Sequence, residues 1–173
     1  MVDALGRSEQ IVILRKGGIA EVREGFRAEH ERFWLFPTRF HQQSEGVIES
    51  ARGRFEKLQW PAEDVLKIEF GAEVIEARQL GSLDQAKCLA GQHIWREEVV
   101  VDRFDWGREQ GIYAMAVRVQ RLPEPMELPM LESYGGCKSW VELEPLMDFS
   151  LTEPVLEDSN LAAKLSEFRE ALA

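Results

Sequence analysis

Hydrophobic and polar positions alternate with period two over several stretches of this chain and switch to a helical period in three others. Ile11-Val-Ile-Leu14 is apolar and β-branched before it gives way to Arg15-Lys16-Gly17-Gly18. That predicts a strand closed by a glycine turn, since glycine takes positive φ without steric cost. Residues 20–31 are charged and aperiodic and read as a connection. Arg32-Phe-Trp-Leu-Phe36 reads as a second strand, ended by Pro37, which has no N–H for a ladder. An extended 30–36 places His30, Arg32, Trp34 and Phe36 on one face and Glu29, Glu31, Phe33 and Leu35 on the other. Lys67 to Leu80 alternates, with Ile68, Phe70, Ala72 and Val74 on one side, and predicts a long strand. Glu97 to Trp106, around Val99-Val-Val101, predicts another. In Ile112 to Leu122 both faces are apolar, the pattern of a strand at a sheet centre. Ser139 to Glu144 reads as a last short strand.

The helical period begins after Ser44, where Val47, Ile48, Ala51, Phe55 and Leu58 form one stripe that ends before Trp60-Pro61. Gly53 weakens that helix by about 1 kcal/mol relative to alanine. Ser82-Leu-Asp-Gln85 has the capping-box pattern of a helix start, and Gly91 supplies a stop. Pro123, Pro125 and Pro129 predict a rigid connection. Leu161, Leu165, Phe168 and Leu172 define an amphipathic helix over about 159–172, capped by Ser159 or Asn160. Strands dominate and helices interrupt them irregularly. The expected fold is α+β: one domain over 1–173, with a mostly antiparallel or mixed central sheet and two or three flanking helices.

Composition narrows the setting more than the function. A chain of 173 residues is long enough for one self-sufficient core. No apolar run reaches the ~20 residues of a membrane span, and the N-terminal ten residues lack a signal-peptide pattern. Two cysteines, Cys88 and Cys137, are too few for a disulfide framework. These features predict a cytoplasmic protein without a membrane partner and without a cofactor. The net charge of −10 argues against broad binding to phosphate backbones. Yet residues 1–60 hold ten Lys/Arg against nine Asp/Glu, so the acidity lies in the remainder and the first part can present a basic face.

Three stretches together carry a resemblance. Leu14-Arg-Lys-Gly-Gly-Ile19, Arg32-Phe-Trp-Leu-Phe-Pro-Thr38 with His41-Gln42, and Tyr134-Gly-Gly-Cys-Lys-Ser-Trp140 are similar to the bacterial family known as domain of unknown function 1802. The strand Ala116-Val-Arg-Val119 and its Leu122-Pro123 exit belong to the same likeness, which covers a core over 11–145. The resemblance implies a setting more than an activity, because the family is described beside restriction-endonuclease domains of the Mrr type. It implies association with nucleic acid or with a restriction-type protein partner, as an accessory in a restriction or defence pathway.

The residues themselves offer three chemistries. Arg15, Lys16, Arg32, His41, Gln42 and Lys138 are candidate ligand contacts, with Trp34, Phe36 and Phe40 among them. Cations at a glycine turn suit phosphate oxygens, glutamines suit base edges, and aromatic faces suit unpaired bases. Cys137, flanked by glycines and Lys138, is a candidate nucleophile with His30, His41 or His93 as its base. The C-terminal helix is a candidate docking element for a protein partner. No closed set of metal ligands is spaced for zinc, and Cys88 with His93 lacks a second pair, so no metal is expected. Glu69, Glu73 and Glu76 read as a solvated strand face, and Trp95, Trp106 and Trp140 as core.

Overall fold

Two long strands form the spine of the sheet. In the computed structural model, β5 (Val65–Leu80) and β6 (Ile112–Pro129) pair antiparallel along almost their whole length, from Leu80 opposite Ile112 to Val65 opposite Pro129. The structure describes every residue except 17–18, 23–24, 29, 39–43, 108–109, 136–139 and 145–147, and only the backbone of 19–22 and 25–28. β4 (Arg32–Trp34) pairs with β5 on one side. On the other side β6 takes β1 (Val12–Arg15) along its first half and β7 (Glu153–Pro154) further on. The result is a five-stranded antiparallel sheet in the order β1-β6-β5-β4, with β7 beside β6. The α+β class therefore holds, and β6 is central as its two apolar faces require.

Alternation along β1 and β6 divides the core. Val12 and Leu14 face one layer with Ile112, Ala114 and Ala116. Helices α3 (Leu83–Cys88), α4 (Glu97–Asp105) and α5 (Asp158–Ala171) close that layer through Ala86, Val100, Phe104, Leu161, Leu165 and Phe168. Ile13, Met115, Val117 and Val119 face the opposite layer, where Leu5 of α1 (Val2–Gly6) packs with Leu35, Phe70 and Ala72. A third cluster sits at the far end of the ribbon, where Leu66, Ile68, Leu122 and Leu128 pack around Tyr134. α2 (Glu49–Phe55) contributes Ala51 to the first layer, and Val47 pairs in an isolated bridge with Trp95.

The ladder between β5 and β6 breaks twice, and each break bends it. Ile75 is an extra residue on β5, because Val74 faces Val117 while Glu76 faces Ala116. Nearer the far end, the four residues 122–125 of β6 stand opposite Glu69 alone. Bulges of this kind raise the right-handed twist of a ribbon and curl the sheet. Pro123 and Pro125 lie in the four-residue break, where no ladder bond needs their missing N–H. The proline-rich segment is thus a continuation of β6 rather than the expected connection.

Other expectations require correction. Residues 19–28 are not a plain connection, since β2 (Ile19–Val22) and β3 (Gly25–Ala28) form a separate two-stranded hairpin. Glu97–Asp105 is a helix, not a strand: Val100 and Phe104, four apart, are the buried pair. Glu97 and Glu98 in its first turn and Arg103 in its last suit the helix dipole. The described part of 139–144 is not extended ladder. Its Val141 and Leu143 pack on the third cluster, and the Glu144 N–H donates to the Tyr134 hydroxyl at 3.3 Å. α1 had no counterpart in the sequence reading. Ser82 does cap α3, its hydroxyl accepting from the Gln85 N–H at 3.3 Å, while the Gln85 side chain accepts from Gly81 rather than Ser82.

Candidate functional site

The curl of the sheet brings its two outer strands to the same place. Arg15 at the end of β1 lies with its guanidinium 4.2 Å from the centre of the Trp140 ring. From the β4 side, His30 and Phe33 meet the same indole edge-on at 4.9 and 5.0 Å. Trp140 is therefore the pin between strands that are furthest apart in sheet order. Around it opens a groove of about 1470 Å³. Described residues from all three family-like blocks line it: Leu14, Arg15 and Lys16, then Arg32 to Thr38, then Tyr134 and Trp140.

Two features of the lining are unusual for this chain. All five tryptophans border the groove: Trp34, Trp60, Trp95, Trp106 and Trp140. Among the described residues it is lined by seven Lys/Arg against four Asp/Glu, a surplus of cations in a protein of net charge −10. Trp95 is buried as expected, but Trp106 is 73% exposed and Trp140 half-buried, so two of the three tryptophans read as core are not. Trp106 follows the last residue of α4, beyond Val100 and Phe104, and so projects past the packed face of the helix.

The cations differ in what holds them. The Lys16 ammonium donates to the Phe104 carbonyl at 2.9 Å and to the Gly111 carbonyl at 2.7 Å, tying the end of β1 to the last turn of α4. Arg103 returns the tie, donating to the Leu14 carbonyl at 3.4 Å while its guanidinium lies 4.1 Å from the Trp95 ring centre. Arg32 pairs with Glu73 at 2.9 Å and sits 5.8 Å from the Phe149 ring. Lys67 pairs with Glu69 at 2.7 Å. Arg121 donates to the Gly6 carbonyl at 3.0 Å. Burial lowers the Arg103 pKa. The positive field is felt nearby. The Met1 amine is brought down to about 6, first by burial and in part by Arg103, against the pull of Asp3. His93 is lowered by burial and further by Arg103.

His93 itself lies behind the wall. It is buried, and its Nδ1 accepts from the Trp95 N–H at 3.2 Å, which leaves the proton on Nε2. His93 Nε2 has no hydrogen-bond partner among the described residues, and neither do the indole nitrogens of Trp95 and Trp140.

Of the candidate ligand contacts, Arg15, Lys16 and Arg32 thus converge on one groove, and His30 joins them. His41, Gln42, Cys137 and Lys138 lie outside the described residues, as does any relation between the two cysteines. Cys88 is exposed. Glu69 and Glu73 are partly exposed ion-pair partners, as a solvated face requires. Glu76 is more enclosed, held by Arg78 at 2.6 Å and Arg169 at 2.8 Å. No cluster of three or more metal-ligating side chains occurs among the described residues, and no described helix is long and apolar enough to cross a membrane. The apolar stripe of α5 is occupied, since Leu161, Leu165 and Phe168 are buried in the chain's own core. Arg103 and Trp106 escaped the sequence reading because a strand assignment put them in a pleat. Reading Val100 and Phe104 at helical spacing would have placed them on one end of a helix.

No curated protein and no solved structure matches the chain. A family model does match, over residues 1–167, and so includes α1 and most of α5 as well as the three blocks. The chain is a member of the family described as domain of unknown function DUF1802.

Proposed function

We propose that the groove binds single-stranded nucleic acid without catalysing its conversion, and that the domain serves as a recognition module. The observation that carries this reading is the concentration of every tryptophan and of a cation surplus in one concavity of an acidic protein. Aromatic faces accept unpaired bases of any sequence, each stacked base contributing about 1–3 kcal/mol, and lysines and arginines follow the backbone. Duplex bases are stacked on each other and cannot use such faces. The acidic remainder of the chain repels bulk polyanion and confines attraction to the groove. Arg15 and Arg32 are the contacts for phosphate on this reading, while Lys16 acts as scaffold because its ammonium serves two backbone carbonyls. Service beside a restriction or defence system is the setting the family resemblance implies. The rival chemistries draw less support. The thiol reading rests on Cys137, outside the described residues, and helix docking rests on an α5 stripe that is already covered.

The test is a titration of the intact protein with short single-stranded DNA, single-stranded RNA and duplex DNA at low and at physiological salt, read by intrinsic tryptophan fluorescence. Quenching by single strands, weaker for duplex, with a negative salt slope, is the expected result. Arg15→Ala should weaken it. A signal indifferent to every strand, or a preference for duplex, would sink the reading.

A further inference from the structure

Arg103 is a cation in search of an anion. Its guanidinium is set in the groove wall against Trp95, and among the described residues it has no carboxylate partner, only one long bond to a carbonyl. Charges taken out of water are normally paired, because desolvation without a partner is costly. The groups beside it also lack partners among the described residues: the buried Trp95 and His93 each hold a ring N–H with no described acceptor. No described carboxylate is bonded to the guanidinium, and its neighbours His93 and Met1 both register the positive field. Three residues further along the chain, directly after the last residue of the helix, stands Trp106, the most exposed large apolar side chain of the described structure. Residues at that spacing project about 5–6 Å apart on one side of a helix, the scale of a phosphate and the base attached to it.

We propose that the C-terminal end of α4 is a nucleotide subsite, in which Arg103 takes a phosphate and Trp106 stacks on the base that the phosphate carries. The inference rests on the single-strand reading of the groove and names where one nucleotide of the strand is held. The planar guanidinium fork offers two parallel donors to phosphate oxygens, which a lysine at this position cannot. Lys16 and the Leu14 carbonyl fix the end of the helix, on whose last turn Arg103 stands and which Trp106 follows. No bond is made or broken in this step; it is binding alone.

The experiment compares wild type, Arg103→Gln and Trp106→Ala, each as the full chain, with adenosine, adenosine 5′-monophosphate, inorganic phosphate and a single-stranded oligonucleotide. Wild type is expected to prefer the monophosphate to adenosine by roughly tenfold, about 1.4 kcal/mol. Arg103→Gln should erase that preference and reduce the oligonucleotide salt slope by about 0.7, one phosphate contact. Trp106→Ala should weaken adenosine and its monophosphate alike and leave inorganic phosphate unchanged. If Arg103→Gln does not fold, Arg103→Lys keeps a cation without the fork, and it should lose part of the preference. Oligonucleotide binding with an unaltered salt slope in Arg103→Gln, or an unaltered preference in Arg103→Lys, would overturn the subsite alone. Failure of wild type to bind any oligonucleotide would overturn the groove reading and the subsite with it.

Discussion

Replacing Lys16 with methionine separates a scaffold role from a ligand contact. Methionine keeps an unbranched stem and removes the three donors of the ammonium. The bonds lost include those to the Phe104 carbonyl at 2.9 Å and the Gly111 carbonyl at 2.7 Å. Phe104 keeps a partner, because its carbonyl also accepts from the Gly111 N–H at 3.1 Å. A hydrogen bond from a charged donor contributes about 1.5–3 kcal/mol, and one retained partner keeps the total near a single such bond. The expected loss is therefore about 2–3 kcal/mol, which for a chain of this size lowers Tm by roughly 4–12 °C. Urea unfolding at pH 7 reads the difference as a shift of midpoint at constant slope. The same variant, folded below its transition, should keep the wild-type salt slope for oligonucleotide binding. A stability change within about 0.5 kcal/mol, the range of a surface substitution, together with a slope reduced by about 0.7, would make Lys16 a phosphate contact and refute the reasoning.

Other outcomes can be checked in the same assays. Phe168→Ala should cost about 3–5 kcal/mol by urea unfolding, since the ring is fully buried between α5 and the sheet. Gly6→Ala should cost about 1–3 kcal/mol, because a Cβ there would overlap the Phe70 ring that lies against the end of α1. Burial raises the Glu76 pKa, but hydrogen bonds and charge from Arg169 and Arg78 outweigh it and hold the carboxyl below 4.5. The unfolded chain therefore takes up that proton first as pH falls. Glu76→Gln should cost about 1 kcal/mol at pH 7, a gap that closes below about pH 4 in unfolding curves. His93 works in a higher window. Its folded pKa lies below 6.5, so the unfolded state binds the extra proton and stability declines as pH drops through that value. His93→Gln should flatten the pH dependence between about pH 6.5 and 5, and an unchanged slope would remove the histidine as its source.

The elements legible in the sequence were those whose burial pattern matched a single period. β5 alternates from Val65 to Phe70, α5 carries Leu161, Leu165 and Phe168 on one stripe, and β6 is apolar on both faces because layers cover both. The failures share a cause, since local propensity was outweighed by packing and pairing across the chain. Val99-Val-Val101 favours a strand, but burial of Val100 and Phe104 on the sheet makes a helix. Pro123 and Pro125 signal a break, and there is one, in the ladder rather than in the strand. The hairpin over 19–28 rests on backbone bonds that leave no hydrophobic period. At the groove, the residues were visible but their convergence was not. Arg15 and Phe33 occupy opposite edges of the sheet order, and only its curl sets both against Trp140.

The position of β1 also sets an order of events during synthesis. Val12 pairs with Ala116 and Arg15 with Tyr113, so the strand waits for a partner about 100 residues downstream, a delay of roughly 5–20 s at ribosomal speeds. Until β6 emerges, Ile11-Val-Ile-Leu14 is an unpaired, uncharged, largely β-branched segment of the nascent chain, the kind that seeks any open strand edge. Arg15 and Lys16 directly behind it then act as gatekeepers, keeping charge beside the sticky segment before either has a groove to serve. Slowing translation between β1 and β6 would lengthen that exposure, and the yield of folded protein would fall without any change in the sequence.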